Sequence, residues 1–352
     1  MKGLILAAGR GTRLRPLTFT RPKPVIRVAG RPIIAYGVEK LKRAGIEEIG
    51  VVVSPKTEEE VKNALAEAFP GEEFTLIVQE NPLGLAHAVA TARDWLGEED
   101  FILYLGDNLM EDGVERLKSF FEARRPAAAL ALIPVDNPSQ FGVAEVEGER
   151  VVRLLEKPKD PPSRLAVAGV YALSPAIHEA IADLSPSARG EYEITDALEA
   201  LIEAGKEVLW QELTGWWKDA GRPDDLLAAN RLILESQNPR LEGELENSQV
   251  EGAVVVEPGA RVKNSRLLGP LYVGKGAVVE DAYLGPYTSL GPRAVVKDAE
   301  VEDSVLEAEA VLEGVRLHGS LLGVGAEVVK KNGRPKAPRL ILGDLSRVEV
   351  PS

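Results

Sequence analysis

Hydrophobic and polar positions follow two different rhythms along the chain. Up to about residue 236, short apolar runs alternate with longer stretches in which apolar residues recur at helical spacing. The runs that predict strands read GLILAAG, EIGVVVS, FTLIVQE, DFILYLGD, AALALIPVD, GVAEVEGERVVRLLEKP and LAVAGVYAL. Strands that alternate with helices predict a sheet covered by helices on both faces. We therefore assign residues 1–236 to a Rossmann-like α/β domain with a mixed, mostly parallel sheet.

The second rhythm begins after a polar segment at 237–249, which we predict to be a linker. Beyond it, an aliphatic residue recurs every five or six positions. These residues are Val250, Val256, Val262, Leu267, Val273, Val279, Leu284, Leu290, Val296, Val301, Leu306, Leu312, Leu317, Leu322 and Val328. Such a period is typical of hexapeptide repeats in a parallel β-helix, with three repeats per coil and roughly five coils. We predict this β-helix over 250–332 and a tail over 333–352.

Composition narrows the possible functions of this two-domain chain. The formal net charge of −13 argues against binding of nucleic acid by long-range attraction. Because the chain has no cysteine, it has no disulfide, no thiolate metal site and no cysteine nucleophile. It also lacks an apolar stretch long enough to span a bilayer and a signal-peptide layout at its N-terminus. We expect a cytoplasmic protein with neither nucleic-acid nor membrane partners.

Against this acidic background, the first predicted strand runs into a basic, glycine-rich loop, GRGTRLR. Gly9 and Gly11 permit a sharp turn and close approach of a ligand to the backbone. Successive N–H groups in such a turn form an anion-binding concavity, and arginine adds forked donors that match phosphate oxygens. The loop matches neither the dinucleotide-binding GxGxxG, because Leu14 replaces its last glycine, nor a Walker A motif. It indicates a phosphate site or, alternatively, a tight turn with solvated arginines.

Other polar residues stand at the ends of later predicted strands, where ligands of open α/β sheets bind. Lys23, between two prolines, is a candidate fixed charge for a phosphate, and Gln79 can pair with a base edge. Asp107 and Asp219 carry the oxygen ligands that Mg²⁺ prefers beside phosphates. The pair at 156–157, EK, could hold a sugar hydroxyl and a phosphate. Each candidate also has an alternative without chemistry. These alternatives are a surface lysine for Lys23, a polar strand end for Gln79, a helix cap for Asp107, a helix-entry acid for Asp219 and a solvated turn for 156–157.

No nucleophile and base stand together in the sequence, because the three histidines (His87, His178 and His318) are scattered and lack a nearby serine partner. Phosphoryl-type transfer depends on positioning and charge neutralisation rather than on covalent help from the protein. The candidate residues therefore favour a reaction between two phosphate compounds.

In their order along the chain, these segments resemble the sugar nucleotidyltransferases. The resemblance covers nearly the whole chain and is carried by GxGTRL, RPKP, QxxPxGLA, LGDN, FGV, EKP, AGVY, GEYEITD and WKDAG. It is closest to the long-form glucose-1-phosphate thymidylyltransferases, which carry a C-terminal left-handed β-helix. The resemblance implies that the chain makes dTDP-glucose, for dTDP-sugar biosynthesis, and pyrophosphate from dTTP and α-D-glucose 1-phosphate. It implies Mg²⁺ as cofactor and in-line displacement at the α-phosphate without a covalent intermediate.

The resemblance also implies site residues, motif by motif. These are Gly9, Arg10, Gly11, Thr12 and Arg13 for the triphosphate, Gln79 and Gly84 for the base, Asn108, Gly142, Glu156, Lys157 and Val170 for the sugar, and Asp107 and Asp219 for the metal. Of the charged residues, Arg13 and Lys23 are implied to face the α-phosphate and the departing pyrophosphate, and Lys157 the phosphate of the sugar.

Three alternatives stay open. The nucleotide could be UTP or another triphosphate, or the chain could be a non-catalytic regulatory homologue, although its candidate charged residues are all present. The β-helix could be an acyltransferase, but that chemistry usually needs a histidine base, and His318 alone lies in the coils. We expect instead that the β-helix serves assembly or regulation and that the protein is a homo-oligomer.

Overall fold

The computed structural model describes residues 1–9, 11–330 and 346–348. The predicted tail at 333–352 therefore lies outside the described residues, except for 346–348. The described residues divide into two compact units. The first unit contains 1–9, 22–25 and 33–219, and the second contains 11–21, 26–32 and the residues from 220 onward.

Helices occupy the stretches in which apolar residues recur at helical spacing. They are α1 (Ile33–Arg43), α2 (Glu58–Ala68), α3 (Leu85–Thr91), α4 (Arg93–Leu96), α5 (Val114–Arg124), α6 (Ala176–Ala182), α7 (Ile194–Glu203) and α8 (Pro223–Glu235). The described residues also form short 3-10 helices at Thr12–Leu14, Lys23–Val25 and Pro138–Gln140. No helix in the described part of the chain has the length and apolar character that crossing a membrane requires.

The strands up to residue 219 follow the predicted apolar runs, with some additional short pairs. They are β1 (Lys2–Leu6), β2 (Arg27–Val28), β3 (Arg31–Pro32), β4 (Ile49–Val53), β5 (Thr75–Val78), β6 (Phe101–Leu105), β7 (Leu109–Met110), β8 (Ala128–Pro134), β9 (Gly142–Glu147), β10 (Arg150–Glu156), β11 (Leu165–Leu173), β12 (Val208–Glu212) and β13 (Trp217–Lys218).

Nine of these strands form the central sheet of the first unit, in the order β5-β4-β1-β6-β11-β8-β12-β10-β9. The four strands from β5 to β6 are parallel, whereas β11 runs antiparallel to both of its neighbours β6 and β8. β9 and β10 form an antiparallel hairpin that turns at Gly148, whose φ is 60°. The predicted mixed α/β sheet is therefore confirmed, and its parallel half includes the strand that precedes the glycine-rich loop.

Both faces of the sheet are buried at its central strands β1, β4 and β6, which explains why these strands are continuous apolar runs. Successive side chains of β1 point to opposite faces. Leu4 and Leu6 accordingly join one hydrophobic core, and Ile5 joins the other. This double burial leaves only the strand ends free to carry polar chemistry.

The second unit contains α8 and a left-handed β-helix. Pro223 begins α8, and the Asp225 carboxylate accepts a hydrogen bond of 2.9 Å from the backbone N–H of Arg222. The coil strands are β14 (Arg240–Leu241), β15 (Glu244–Glu246), β16 (Gln249–Glu251), β17 (Val254–Val256), β18 (Arg261–Lys263), β19 (Arg266–Leu268), β20 (Leu271–Val273), β21 (Val278–Glu280), β22 (Tyr283–Leu284), β23 (Ser289–Leu290), β24 (Val295–Lys297), β25 (Glu300–Glu302), β26 (Val305–Leu306), β27 (Val311–Glu313), β28 (Arg316–His318), β29 (Leu321–Leu322) and β30 (Glu327–Val329).

These strands stack into three parallel sheets, two of six strands and one of five. In one sheet, Val262 pairs with Val279, which pairs with Val296 on the following coil. All three side chains are buried among the aliphatic residues inside the coils. The coil strands already begin at Arg240, within the segment 237–249 for which the sequence indicates a linker.

Candidate active site

Several of the sequence-predicted site residues lie at the carboxyl ends of the neighbouring strands β1 and β6. Their register pairs Leu6 with Leu105, so both strands end together. The next residue, Gly106, donates its N–H to the carbonyl of Leu6 at 2.9 Å, and a Cβ at Gly106 would lie only 2.7 Å from that oxygen. The absence of a side chain at Gly106 therefore allows the two strand ends to approach each other closely. Asp107 follows directly at this edge of the sheet.

A short pairing brings Asp219 to the same edge. Directly after Asp107 and Asn108, β7 pairs antiparallel with β13, and Leu109 is opposite Lys218. This register places Asp219 across from Asn108. The two candidate metal ligands are thus brought together by a two-stranded ladder.

Lys23 links the two aspartates. Its Nζ donates to Asp107 Oδ2 at 2.8 Å and to the backbone carbonyl of Asp219 at 2.6 Å. The lysine residue is only 5% exposed, so its ammonium group depends on these oxygens to replace water. A buried cation therefore sits where Asp107 and Asp219 meet.

Asp107 and Asp219 carry the type of oxygen ligand that a divalent ion prefers. Among the described residues, no group of three or more His, Cys, Asp or Glu side chains is arranged to hold a metal. Mg²⁺ in nucleotide enzymes is commonly bound by one or two carboxylates together with substrate phosphates and water. The side chain of Asp107 remains 39% exposed and so can still be reached from solvent. The accessible carboxylate of Asp107 therefore suits such a site, whereas Asp219 contacts Lys23 through its backbone carbonyl.

A second group of polar residues lies along β9 and β10. Gly142 pairs with Glu156, and a Cβ at Gly142 would lie 2.8 Å from the methyl carbon of Thr195. The Glu156 carboxylate accepts from the Thr195 hydroxyl at 3.2 Å and from Arg189 at 3.0 Å. Lys157 Nζ lies 3.3 Å from Glu156 Oε1, and the φ of Lys157 is 43°. The sequence-predicted Gly142, Glu156 and Lys157 are thus brought together around one carboxylate.

Two further acids stand near this carboxylate. Burial, and then the charge of Glu156, raises the pKa of Glu193 and of Asp196. Both belong to the segment GEYEITD, which the sequence analysis used for the resemblance without giving its residues a role. The mixture of acids with Arg189 and Lys157 offers both donors and acceptors, as binding of a sugar phosphate requires.

Asn108 and Val170 are built into the sheet. Asn108 is buried, and its side-chain amide donates to the carbonyl of Ala168 at 3.2 Å. A Cβ at Gly169, whose φ is 73°, would lie 1.8 Å from that amide nitrogen. The side chain of Val170 belongs to the hydrophobic core. These contacts join β6 to β11 beneath the strand ends.

The proposed base-reading residues occupy the turn between β5 and α3. Gln79 is buried at the end of β5, and its Nε2 lies 3.4 Å from the carbonyl of Gly84 and 2.8 Å from His87 Nδ1. Gly84 has a φ of 118°, and a Cβ there would lie 2.4 Å from the carbonyl oxygen of Tyr192. His87, which has no role among the sequence-based expectations, lies in the first turn of the helix that follows Gly84.

The glycine-rich loop is divided between the units. Gly9 belongs to the first unit, is exposed, and has no atom within 4 Å of the place where a Cβ would lie. Arg10 lies outside the described residues. Gly11, with a φ of 58°, caps the 3-10 helix that carries Thr12 and Arg13, and these three residues belong to the second unit.

Comparisons of the sequence with family models and with known proteins indicate the same family. Residues 2–236 match the nucleotidyl transferase family. The chain is 46% identical, over all of both chains, to the glucose-1-phosphate thymidylyltransferase of Streptomyces antibioticus. These findings confirm the resemblance that the motifs predicted.

Two solved structures share the fold of about two thirds of the chain. A candidate glucose-1-phosphate thymidylyltransferase from Bacillus anthracis, in complex with sucrose, is 34% identical with a TM-score of 0.63, covering 68% of this chain and 98% of that one. A UDP-glucose pyrophosphorylase from Acinetobacter baumanii is 27% identical with a TM-score of 0.59, covering 67% and 94%.

Proposed function

The chain belongs to the nucleotidyl transferase family, and from that premise we propose that it transfers the thymidylyl group of dTTP to α-D-glucose 1-phosphate. The products are dTDP-glucose and pyrophosphate. The full-length likeness to the Streptomyces antibioticus glucose-1-phosphate thymidylyltransferase supports this choice of substrates. The contact of Lys23 with Asp107 and Asp219 is the observation that carries the proposal.

The reaction needs charge neutralisation more than proton transfer. The second pKa of a phosphate monoester is about 6, so the attacking oxygen of the sugar phosphate is already anionic at neutral pH. The barrier arises because this anion must approach a highly charged triphosphate, while further charge develops on the departing pyrophosphate. Cationic side chains held rigidly in place lower that barrier without a covalent intermediate.

The chain supplies such groups in named roles. Lys23 would face the α-phosphate while holding the two aspartates together, and Arg13 would bind the triphosphate and its leaving pyrophosphate. Lys157 would bind the phosphate of the sugar, with Glu156 on the sugar hydroxyls. Asp107 and Asp219 would hold Mg²⁺, which when bound polarises phosphate oxygens and offsets their charge. The backbone of Gly9, Gly11 and Thr12 would give N–H donors to the triphosphate.

A UTP-dependent enzyme is the second candidate, favoured by the likeness to the UDP-glucose pyrophosphorylase from Acinetobacter baumanii. dTTP and UTP differ by the methyl group of the base and by the 2′-hydroxyl of the sugar, and a single methyl contact usually discriminates only about 10- to 200-fold. Pyrophosphate release with glucose 1-phosphate and each of dTTP, UTP, ATP, GTP and CTP decides between them. Preference for dTTP supports the proposal, and a clear preference for another nucleotide rejects that substrate.

The role of the aspartates is tested by Asp107→Asn, with exposed Asp183→Asn as the matched control. We expect at least ~100-fold loss of turnover in Asp107→Asn, because one electrostatic group near the reacting phosphates is removed. Near-normal turnover of this variant would contradict the metal role.

A further inference from the structure

Gln79 is held by two hydrogen-bond acceptors of the protein. Its Nε2 lies 3.4 Å from the carbonyl oxygen of Gly84 and 2.8 Å from His87 Nδ1. A backbone carbonyl can only accept a hydrogen bond, so the amide atom that faces Gly84 has to be the nitrogen. The contact with Gly84 thus identifies which end of the Gln79 amide points into the turn, and the shorter contact with His87 holds the amide in that orientation.

This orientation determines the hydrogen-bonding state of His87. Because Gln79 Nε2 is a donor, Nδ1 of His87 has to be the acceptor in this contact. The two hydrogens of the Gln79 amide are then directed to Gly84 and to His87. What Gln79 retains for a ligand is its carbonyl oxygen, which is an acceptor.

The surroundings of His87 hold its ring in this position. The residue lies in α3, where the hydroxyl of Thr91 donates to its carbonyl oxygen at 2.9 Å. Its ring centroid is 6.2 Å from that of Tyr192. The backbone N–H of Tyr192 donates a hydrogen bond to the carbonyl of Leu83, and its carbonyl accepts one from the N–H of Ala86, so Tyr192 is held on both sides of Gly84. His87 and Tyr192 also line a cavity of about 180 Å³, which is roomy enough for water to solvate the other side of the ring.

We propose that His87 is a positioning residue that makes Gln79 an obligate hydrogen-bond acceptor toward the nucleobase. The inference rests on the proposed function, in which Gln79 faces the base. An acceptor opposite N3 suits thymine and uracil, whose N3 carries a hydrogen. Cytosine has a lone pair at N3, so two acceptors would face each other in a buried site, which is costly. The pair formed by Gln79 and His87 therefore selects imino-bearing pyrimidines over cytosine.

The test compares kcat and KM for dTTP and dCTP, with glucose 1-phosphate, in the wild type and two variants. In His87→Leu the Gln79 amide loses its fixed partner and can turn its donor toward N3 of cytosine. We expect the ratio of kcat/KM for dTTP to that for dCTP to fall about tenfold or more, chiefly through KM. His87→Gln keeps an acceptor for Gln79 and should retain the wild-type ratio within about threefold.

His178→Leu is the matched control, because His178 lines the same cavity but has no hydrogen bond to Gln79. Its nucleotide ratio should equal that of the wild type. His87→Met replaces His87→Leu if melting shows that the leucine variant is unfolded. An unchanged ratio in the folded variant, or equal losses with both nucleotides, overturns the role of His87 and leaves the proposed function standing. A wild type that uses no nucleotide with an imino-bearing pyrimidine overturns the proposed function and this inference with it.

Discussion

The candidate site of the first unit and the stacked coils of the second unit use hydrogen bonds over very different distances in sequence. In the first unit, Lys23 bonds to Asp107, 84 residues away, and to Asp219, 196 residues away. In the second unit, the side chain of Asn247 bonds to that of Asn264, and Asn264 to Asp281, each 17 residues away. The first contacts join distant segments of the chain, whereas the second recur from one coil to the next.

This difference shows how each region is specified. A coil repeats one local conformation, so a residue that suits a corner in one coil suits the same corner in the next. Asn247, Asn264, Asp281 and Asp298 all have φ values between 45° and 49°, the left-handed region that asparagine and aspartate tolerate. The site of the first unit has no such repetition, and each of its contacts depends on the whole sheet.

The largest effect is expected when the unique contact is removed. Lys23→Met keeps the length of the side chain but takes away the cation between Asp107 and Asp219. We expect turnover to fall ~100- to 1000-fold, as loss of one preorganised electrostatic group usually causes. Pyrophosphate release measures this effect. Lys62→Met, at an exposed position of α2, is the control and should retain activity. Comparable turnover in the two variants would exclude a role for Lys23.

A substitution that creates a cavity inside the coils should lower the stability of the second unit and leave turnover unchanged. Val279 is fully buried in the aliphatic interior of the β-helix, so Val279→Ala is expected to destabilise the second unit by about 2 kcal/mol. Urea unfolding measures the change. Val278→Ala on the same strand is the matched control, since Val278 is only half-buried. Equal losses for the two variants would show that the interior ladder is not the stabilising element.

A substitution at a corner of the coils should lower the unfolding free energy less than one in their interior. The φ of Asn264 is 49°, and alanine in the left-handed region costs about 1 kcal/mol. Asn264→Ala is therefore expected to lower the unfolding free energy by about that amount. Asn264→Gly separates the causes, because glycine adopts this backbone freely but also lacks the amide. If both variants lose the same stability, the amide ladder and not the backbone conformation is responsible.

The smallest effect belongs to a histidine of the first unit and depends on pH. His178 is 4% exposed, lies against Phe101 with ring centroids 6.0 Å apart, and its burial lowers its pKa. Below the ordinary histidine pKa of about 6.5, the unfolded chain gains a proton that the folded protein resists, so stability falls as the pH falls. His178→Phe should therefore lose less stability than the wild type between pH 7.5 and 5.5.

Thermal melting at several pH values checks this expectation, with His318→Phe in the coils as the control. The control should follow the wild-type pH dependence. Parallel curves for wild type and His178→Phe would mean that His178 does not contribute to the acid sensitivity.

Much of the fold could be predicted because its signals are local. Continuous apolar runs predicted the strands of the doubly buried sheet, and the aliphatic repeat predicted the stacked coils. The coils begin earlier than the aliphatic repeat indicates, since Leu241 and Leu245 lie in coil strands within the polar segment 237–249. Asparagine and aspartate at the left-handed corners were a usable signal that hydrophobic periodicity could not reveal.

The sequence by itself determined which residues carry charge at strand ends, the alternation that makes a buried sheet, and the period that makes a β-helix. These properties depend on neighbours within one turn, strand or coil. Only the tertiary structure decided that Lys23 lies between Asp107 and Asp219, and that Gln79 is oriented by Gly84 and His87. Such contacts are set by strand order and register, which depend on packing across the whole sheet and cannot be read from adjacent residues.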